Sequence, residues 1–408
     1  MSAVDVSAPA DAGVPEPRLA CPSCGATGLE IFHEQRDIPV HSVRLVATRE
    51  EALSFPRGNL RLGFCPGCGF ITNTAYDPSL QDYGVSYEET QGFSPTFNAW
   101  ADDLAGRWVR RHGLEGKDVL EIGSGKGEFL ISMVAQGAGR GVGIDPSFLE
   151  DRVSGPEADR ITFIKDYYSE AYAHLTGDAV VCRHTLEHIA PVGDFMGIVR
   201  RSLEGRDGTA VLFELPDVLR VLREVAFWDI YYEHCTYFTP GSLARLYRSA
   251  GFSVDDLAIE FDGQYILIEG HAVDGTPAPG PLAIEEEVGE VADAVRHFTR
   301  EFAATRARWR EQLARSRAEG RRTVIWGGGS KGVSFLTTLG IAEEIQYVVD
   351  VNPFKQDKYM AGTGHRVVSP EFLRGYRPDV VIAMNPIYLP EIGAQLSSLG
   401  VDAELVGA

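Results

Sequence analysis

The sequence is short of positive charge, of cysteine and of long apolar runs, and each shortage removes a class of function. Lysine and arginine total 38 against 58 acidic residues, a formal net charge of −20. A protein that grips nucleic acid needs a basic face to meet phosphates, so no nucleic-acid partner is expected. No apolar stretch approaches the roughly 20 residues that cross a bilayer, so no membrane role is expected. Residues 1–18 are rich in Ala, Pro and Asp and lack a basic or an apolar segment. They read as a disordered tail rather than a secretory signal. Only six cysteines occur in 408 residues, four of them in Cys-x-x-Cys pairs. That pattern points to metal binding in a reducing cytoplasm rather than to disulfides. The length exceeds one ordinary core, and two or three domains are expected.

The paired cysteines are Cys21-Pro-Ser-Cys24-Gly and Cys65-Pro-Gly-Cys68-Gly. A glycine after the second Cys suits the tight turn that aims two thiolates at one ion. Two such knuckles make a closed four-sulfur site, the structural kind of Zn2+ site, which leaves no vacancy for water. The loop between them carries enough apolar residues for strands, so residues 19–80 are read as a zinc-binding domain whose metal does no chemistry.

Residues 118–127 read Asp-Val-Leu-Glu-Ile-Gly-Ser-Gly-Lys-Gly, and Asp145 closes a second apolar run further on. A buried strand thus enters a turn whose glycines, Gly123, Gly125 and Gly127, let a ligand lie against bare backbone. Asp145 is placed to accept hydrogen bonds from ribose hydroxyls. Glu121 would repel a phosphate and attract a sulfonium or an ammonium. This turn resembles motif I of class I S-adenosylmethionine (SAM)-dependent methyltransferases. Strands and helical stretches then alternate through Ile161–Asp166 and Asp178–His184, as in a parallel, doubly wound sheet. Asp166 falls where such enzymes accept the adenine amino group, with Tyr167 beside it to stack on the ring. His184 joins the SAM-facing candidates. Residues 81–280 are read as the SAM-dependent domain.

From residue 281 apolar side chains recur at helical steps (Val288, Val291, Val295, Phe298, Phe302, Trp309), which predicts a long helix linking two domains. The pattern then restarts. Trp326-Gly-Gly-Gly329-Ser330-Lys331-Gly332 follows a strand, and Asp350 closes another. This is closer to the dinucleotide fingerprint than the first turn is. However, only about 80 residues remain, half a dinucleotide fold, so a sugar nucleotide is the more economical guest. Its diphosphate would sit at the amides near Gly329 to Gly332, with Lys331 as counter-charge. Residues 281–408 are read as linker helix plus a nucleotide-sugar-binding, Rossmann-like half-domain.

Three separated features coincide: the four-cysteine unit, Tyr231-Tyr-Glu233-His234-Cys-Thr-Tyr237-Phe238, and the tail with Asp350-Val-Asn352-Pro-Phe-Lys355-Gln356. In order and spacing the chain resembles the three-domain sugar C-methyltransferases, over residues 20–405. The resemblance implies SAM in the middle domain and a thymidine-diphosphate 4-keto sugar on the C-terminal one, held by Gly329, Ser330, Lys331, Asp350, Asn352 and Lys355. It implies catalytic roles for His234, Glu233, Tyr231 and His188, with Tyr87 matching an upstream tyrosine. His234 suits the base that removes a proton beside a ketone, Glu233 its orienting partner or a sugar ligand, and Tyr231 a donor to the enolate oxygen. Two positions depart from the family pattern: Tyr232, where a histidine is frequent, and Glu89, where a second tyrosine is. The expectation is therefore a cytoplasmic SAM-dependent C-methyltransferase, monomeric or homodimeric, of deoxysugar biosynthesis. Sugar O-methylation and an NAD(P)-dependent sugar-nucleotide oxidoreductase are the alternatives.

Overall fold

The computed structural model describes residues 19–84, 86–274 and 280–408, and the tail expected over residues 1–18 lies outside them. Among these residues three sheets organise the chain. The first is antiparallel, built from Glu30–Pro39, Arg57–Phe64 and Ile71–Asn73. Its fourth strand, Thr236–Tyr237, comes from much later in the chain, between Ala210–Pro216 and Asp256–Glu260 of the middle sheet, with Ile71 opposite Tyr237. Residues 19–80 thus do not close this sheet alone.

The middle sheet has seven strands in the order Asp256–Glu260, Tyr265–His271, Ala210–Pro216, Ala179–Arg183, Val119–Ile122, Gly141–Ile144, Ile161–Ile164. The last five are parallel, and Tyr265–His271 runs antiparallel to both its neighbours. Covered on both faces, its central strands are mostly apolar, as parallel strands are; Val119, Leu120 and Ile122 are all buried, and the charged exceptions are Glu121, Arg183 and Glu214. This is the doubly wound sheet the sequence predicts. Ligands in such sheets sit beyond the carboxyl ends of the strands, at the point where strand order reverses.

The third sheet is parallel throughout. Thr323–Trp326 lies at its centre, with Tyr347–Val349 and Arg366–Val368 on one side and Val380–Ala383 and Glu404–Gly407 on the other. The helix expected between the second and third sheets runs over Val288–Ala318. Val291, Val295, Phe298 and Phe302 are buried, and Val288 and Trp309 pack half-buried against the same cluster. That cluster is continuous from Ile38 and Leu60 of the first sheet, through the helix, to Phe335 and Ile325 of the third. The helix is therefore shared core rather than spacer, and it fixes the first and third units to each other.

Candidate active site

Two glycine turns face one cavity of about 990 Å³. At the first, Gly123 has φ +73°, and a Cβ there would lie 1.9 Å from Thr185 Oγ1. Only glycine lets the turn pass this close. The Gly125 N–H donates to Asp145 Oδ2 (2.9 Å) and the Ser147 N–H to Oδ1 (2.6 Å). Asp145 is thereby fixed as an acceptor, with its remaining lone pairs toward the cavity. Gly127 begins the helix Glu128–Ala135 and packs against the Phe163 ring instead of lining the cavity. Glu121 is 2% exposed and its Oε2 has no hydrogen-bond partner. Burial, opposed by Arg183 and reinforced by Asp145 and Glu214, pushes its carboxyl up to about 8. Such an orphaned carboxylate is a fitting counter-group for a cationic ligand. Asp166 and Tyr167 lie at the rim, where Asp166 accepts from the Tyr172 hydroxyl (2.5 Å).

His184 adopts φ +47° and sits 2.7 Å from Glu214. Burial works against its charge, but Glu214 and Glu187 outweigh burial and raise it to about 9. Glu214 also accepts from Arg183 Nε at 2.5 Å. His184 is thus the half-buried partner of a buried carboxylate, and it lines the cavity itself.

Between the two turns stand His234, Tyr231, His188 and Tyr87. His234 Nε2 is 2.9 Å from the Tyr231 hydroxyl and 3.9 Å from Glu187 Oε1. Burial, then the charges of His188, His184 and Lys331, hold its imidazole well below the ordinary value, so it is neutral. Burial raises the Tyr231 and Tyr87 phenols well above theirs, so both keep their protons. His188 Nδ1 lies 3.1 Å from both the Tyr83 hydroxyl and the Glu233 carbonyl.

Glu233 does not orient His234, and it does not line the cavity. Its carboxylate turns into the first unit, where Oε1 is 2.8 Å from His41 Nδ1 and Oε2 accepts from the Ser42 N–H (3.0 Å) and hydroxyl. The Asp82 N–H donates to His41 Nε2, so Nδ1 carries the hydrogen that meets Glu233. Ser42 also bonds Ser330 Oγ (2.7 Å), which ties all three units together at one hydroxyl.

The second glycine turn repeats the logic of the first. The Gly328 and Asn352 N–H groups both donate to Asp350 at 2.8 Å. Gly329, Ser330, Lys331, Asp350, Asn352 and Lys355 all line the cavity. Lys331, expected as a free counter-charge, is engaged: its ammonium bridges Asp229 (3.0 Å) and Gln264 (3.0 Å). Asn352 Nδ2 donates to Glu88, which Arg152 also holds. Glu89, one of the departing positions, pairs with buried Lys126 beside the first turn. Tyr232, the other, is core and donates nothing to the cavity.

Sequence reading missed Glu187, Tyr83, His41 and Ser42. Glu187 adjoins a candidate, so position alone could have flagged it. His41 and Ser42 carry no local signal because their partners lie far along the chain.

Away from the cavity, Cys21 Sγ is 3.8 Å from Cys68 Sγ and Cys24 Sγ is 3.7 Å from Cys65 Sγ. All four sulfurs lie within 4.8 Å of one another. Zinc–sulfur bonds of about 2.3 Å in a tetrahedron imply sulfur separations of about 3.8 Å. The donor set and its spacing fit a zinc ion.

A family model described as a methyltransferase domain matches residues 94–257, and one described as a C-methyltransferase C-terminal domain matches residues 282–403. The C-methyltransferase NovU of Streptomyces niveus is 29% identical over 299 residues, 70% of each chain. Among solved structures, the 1,6-didemethyltoxoflavin N1-methyltransferase of Burkholderia thailandensis aligns at 18% identity and a TM-score of 0.32, covering 43% of this chain and 79% of that one. The dimethyltransferase RosA of Streptomyces davawensis aligns at 19% identity and a TM-score of 0.36, covering 43% and 55%.

Proposed function

The chain belongs to the SAM-dependent C-methyltransferase family, and from that premise we propose that it methylates a carbon beside the ketone of a thymidine-diphosphate-linked deoxysugar, through an enolate. One observation carries this reading: the turn at 123–125, the tyrosine–histidine cluster and the turn at 329–332 face one another across a single cavity.

Bound SAM supplies a methyl group on a cationic sulfur. The orphaned carboxylate of Glu121 offsets that cation, and Asp145 receives the ribose hydroxyls. Asp166 and Tyr167 border the adenine, and His184 holds the floor of the site through Glu214. On the acceptor side, the N-terminus of the helix Ser330–Leu339 offers its amides to a diphosphate. Asp350, Asn352 and Lys355 border the nucleoside. Lys331 acts from its bridge to Asp229, sharing its charge rather than delivering it whole.

His234, neutral and buried, takes the proton from the carbon next to the ketone. The C–H pair becomes the carbon–carbon π bond of the enolate and the carbonyl π pair moves onto the ketone oxygen, toward which the Tyr231 hydroxyl donates. Glu187, 3.9 Å from Nε2, faces the imidazolium as it forms. His188 and Tyr87 line the same pocket and exclude water from it. The enolate carbon then bonds the methyl group as the carbon–sulfur bond breaks, with geometry rather than covalent catalysis lowering the barrier. Away from the chemistry, we read Cys21, Cys24, Cys65 and Cys68 as a structural zinc site.

The test is hydrogen exchange without SAM. The keto sugar nucleotide in deuterated buffer should gain deuterium at the carbon beside the ketone. No gain, with methyl transfer intact, would overturn the enolate and favour O-methylation.

A further inference from the structure

We propose that Glu187, His188 and His234 form a second metal site, for a divalent transition ion of the zinc class, and that filling it withdraws His234 from chemistry. One ligand atom from each of the three residues lies within 4.8 Å of the other two. Glu187 and His188 are adjacent in the turn Leu186–His188, at the carboxyl end of the strand Ala179–Arg183. His234 arrives from the segment that leads into Thr236–Tyr237, and the two imidazoles meet edge to face with centroids 4.9 Å apart.

The surrounding bonds prepare these groups as ligands. A backbone carbonyl can only accept, so the contact between His188 Nδ1 and the Glu233 carbonyl (3.1 Å) places the hydrogen on Nδ1. Nε2 then keeps its lone pair, the arrangement by which proteins commonly present a metal-binding imidazole. Glu187 is 2% exposed and its Oε2 has no hydrogen-bond partner. A carboxylate oxygen stripped of water and left unpaired favours any cation that can reach it. His184 Nδ1 competes at 3.7 Å, but on Oε1, so Oε2 stays available.

Two imidazoles and one carboxylate suit zinc and its neighbours, and are too poor in oxygen for magnesium or calcium. Bonds of about 2.0–2.2 Å bring ligand atoms to roughly 3.3–3.6 Å apart in a tetrahedron. The oxygen 3.9 Å from His234 Nε2 is Oε1, which closes to that spacing with a sub-ångström shift once it leaves His184, while Oε2 offers the ion a second, unpaired oxygen. Tyr231, 2.9 Å from the same nitrogen, would turn to a water on the ion. The remaining coordination positions face the cavity, where all three residues lie. Ion binding stands on this geometry alone, whereas its effect on turnover rests on His234 being the base.

The test uses the full chain, its four-cysteine cluster filled with zinc, and Co2+ as probe. Weak visible absorption without thiolate charge-transfer bands should saturate at one cobalt per chain. It should vanish in His188→Ala and need about ten-fold more cobalt or greater in Glu187→Gln. Calorimetry with S-adenosylhomocysteine reports that both variants are folded. Micromolar Zn2+, but not Mg2+, should suppress wild-type turnover, and a mild chelator should restore it. No cobalt band, or one unchanged in both variants, would overturn the site. A normal band with undiminished turnover would keep the ion and overturn His234 as the base, so the two readings fail separately.

Discussion

At the residue scale, the sharpest consequence belongs to Glu121. Its carboxyl is pushed up to about 8 in the free protein, so below that pH it is largely protonated. Binding a cation favours the ionised form. SAM affinity should therefore rise with pH up to about 8 and level off above it, with a limiting slope of about ten-fold per pH unit. Calorimetry between about pH 6 and 9, in buffers of different ionisation enthalpy, would register the released proton; Glu121→Gln should flatten the curve. His234→Ala should leave that affinity intact and lower turnover by about 100- to 10,000-fold, the ordinary worth of a general base. The glycines, Asp145 and His234 were legible because each carries its signal within a few residues. Glu233 misled for the same reason. Adjacency to His234 suggests a dyad, yet Tyr232 and Glu233 form a turn that swings the carboxylate away from the imidazole and onto His41.

Among elements, the informative one is the short stretch that holds His41 and Ser42. It belongs to the first unit, fixes Glu233, and through Ser42 reaches Ser330 at the start of the helix Ser330–Leu339. Ser42→Ala would leave Glu233 Oε2 with a single donor in a buried setting, a cost of about 1–3 kcal/mol. We expect lower turnover and a lower melting temperature with unchanged SAM affinity, measured by single-turnover kinetics and calorimetry on one preparation. His41→Ala should cost more, about 1–3 kcal/mol for each group left unpaired, because it removes both the N–H donor to Glu233 Oε1 and the acceptor of the Asp82 N–H. The long helix Val288–Ala318 was legible from its periodicity. The strand Thr236–Tyr237 was not, since two residues are too few for any alternating pattern and its partner strand is remote in sequence.

On the scale of the whole molecule, the four-cysteine cluster and the segment that carries His234 are linked through the first sheet. Stripping the zinc should loosen that sheet, and the segment 231–238 with it. Turnover should fall in step with metal content while the SAM turn at 123–125 keeps its ligand. Metal analysis against activity during chelation, with S-adenosylhomocysteine titration alongside, would check this. The three-unit organisation was legible in composition and in restarting motifs. The shared core was not, because apolar faces reveal that they are covered without revealing by what. The pairing of Ile71 with Tyr237 also bears on engineering. A chimera that exchanges the head at residue 80 for a relative's would join a foreign edge to a native rung and spoil the placement of His234. New acceptor scope is better sought by transplanting the head and that rung as one cassette.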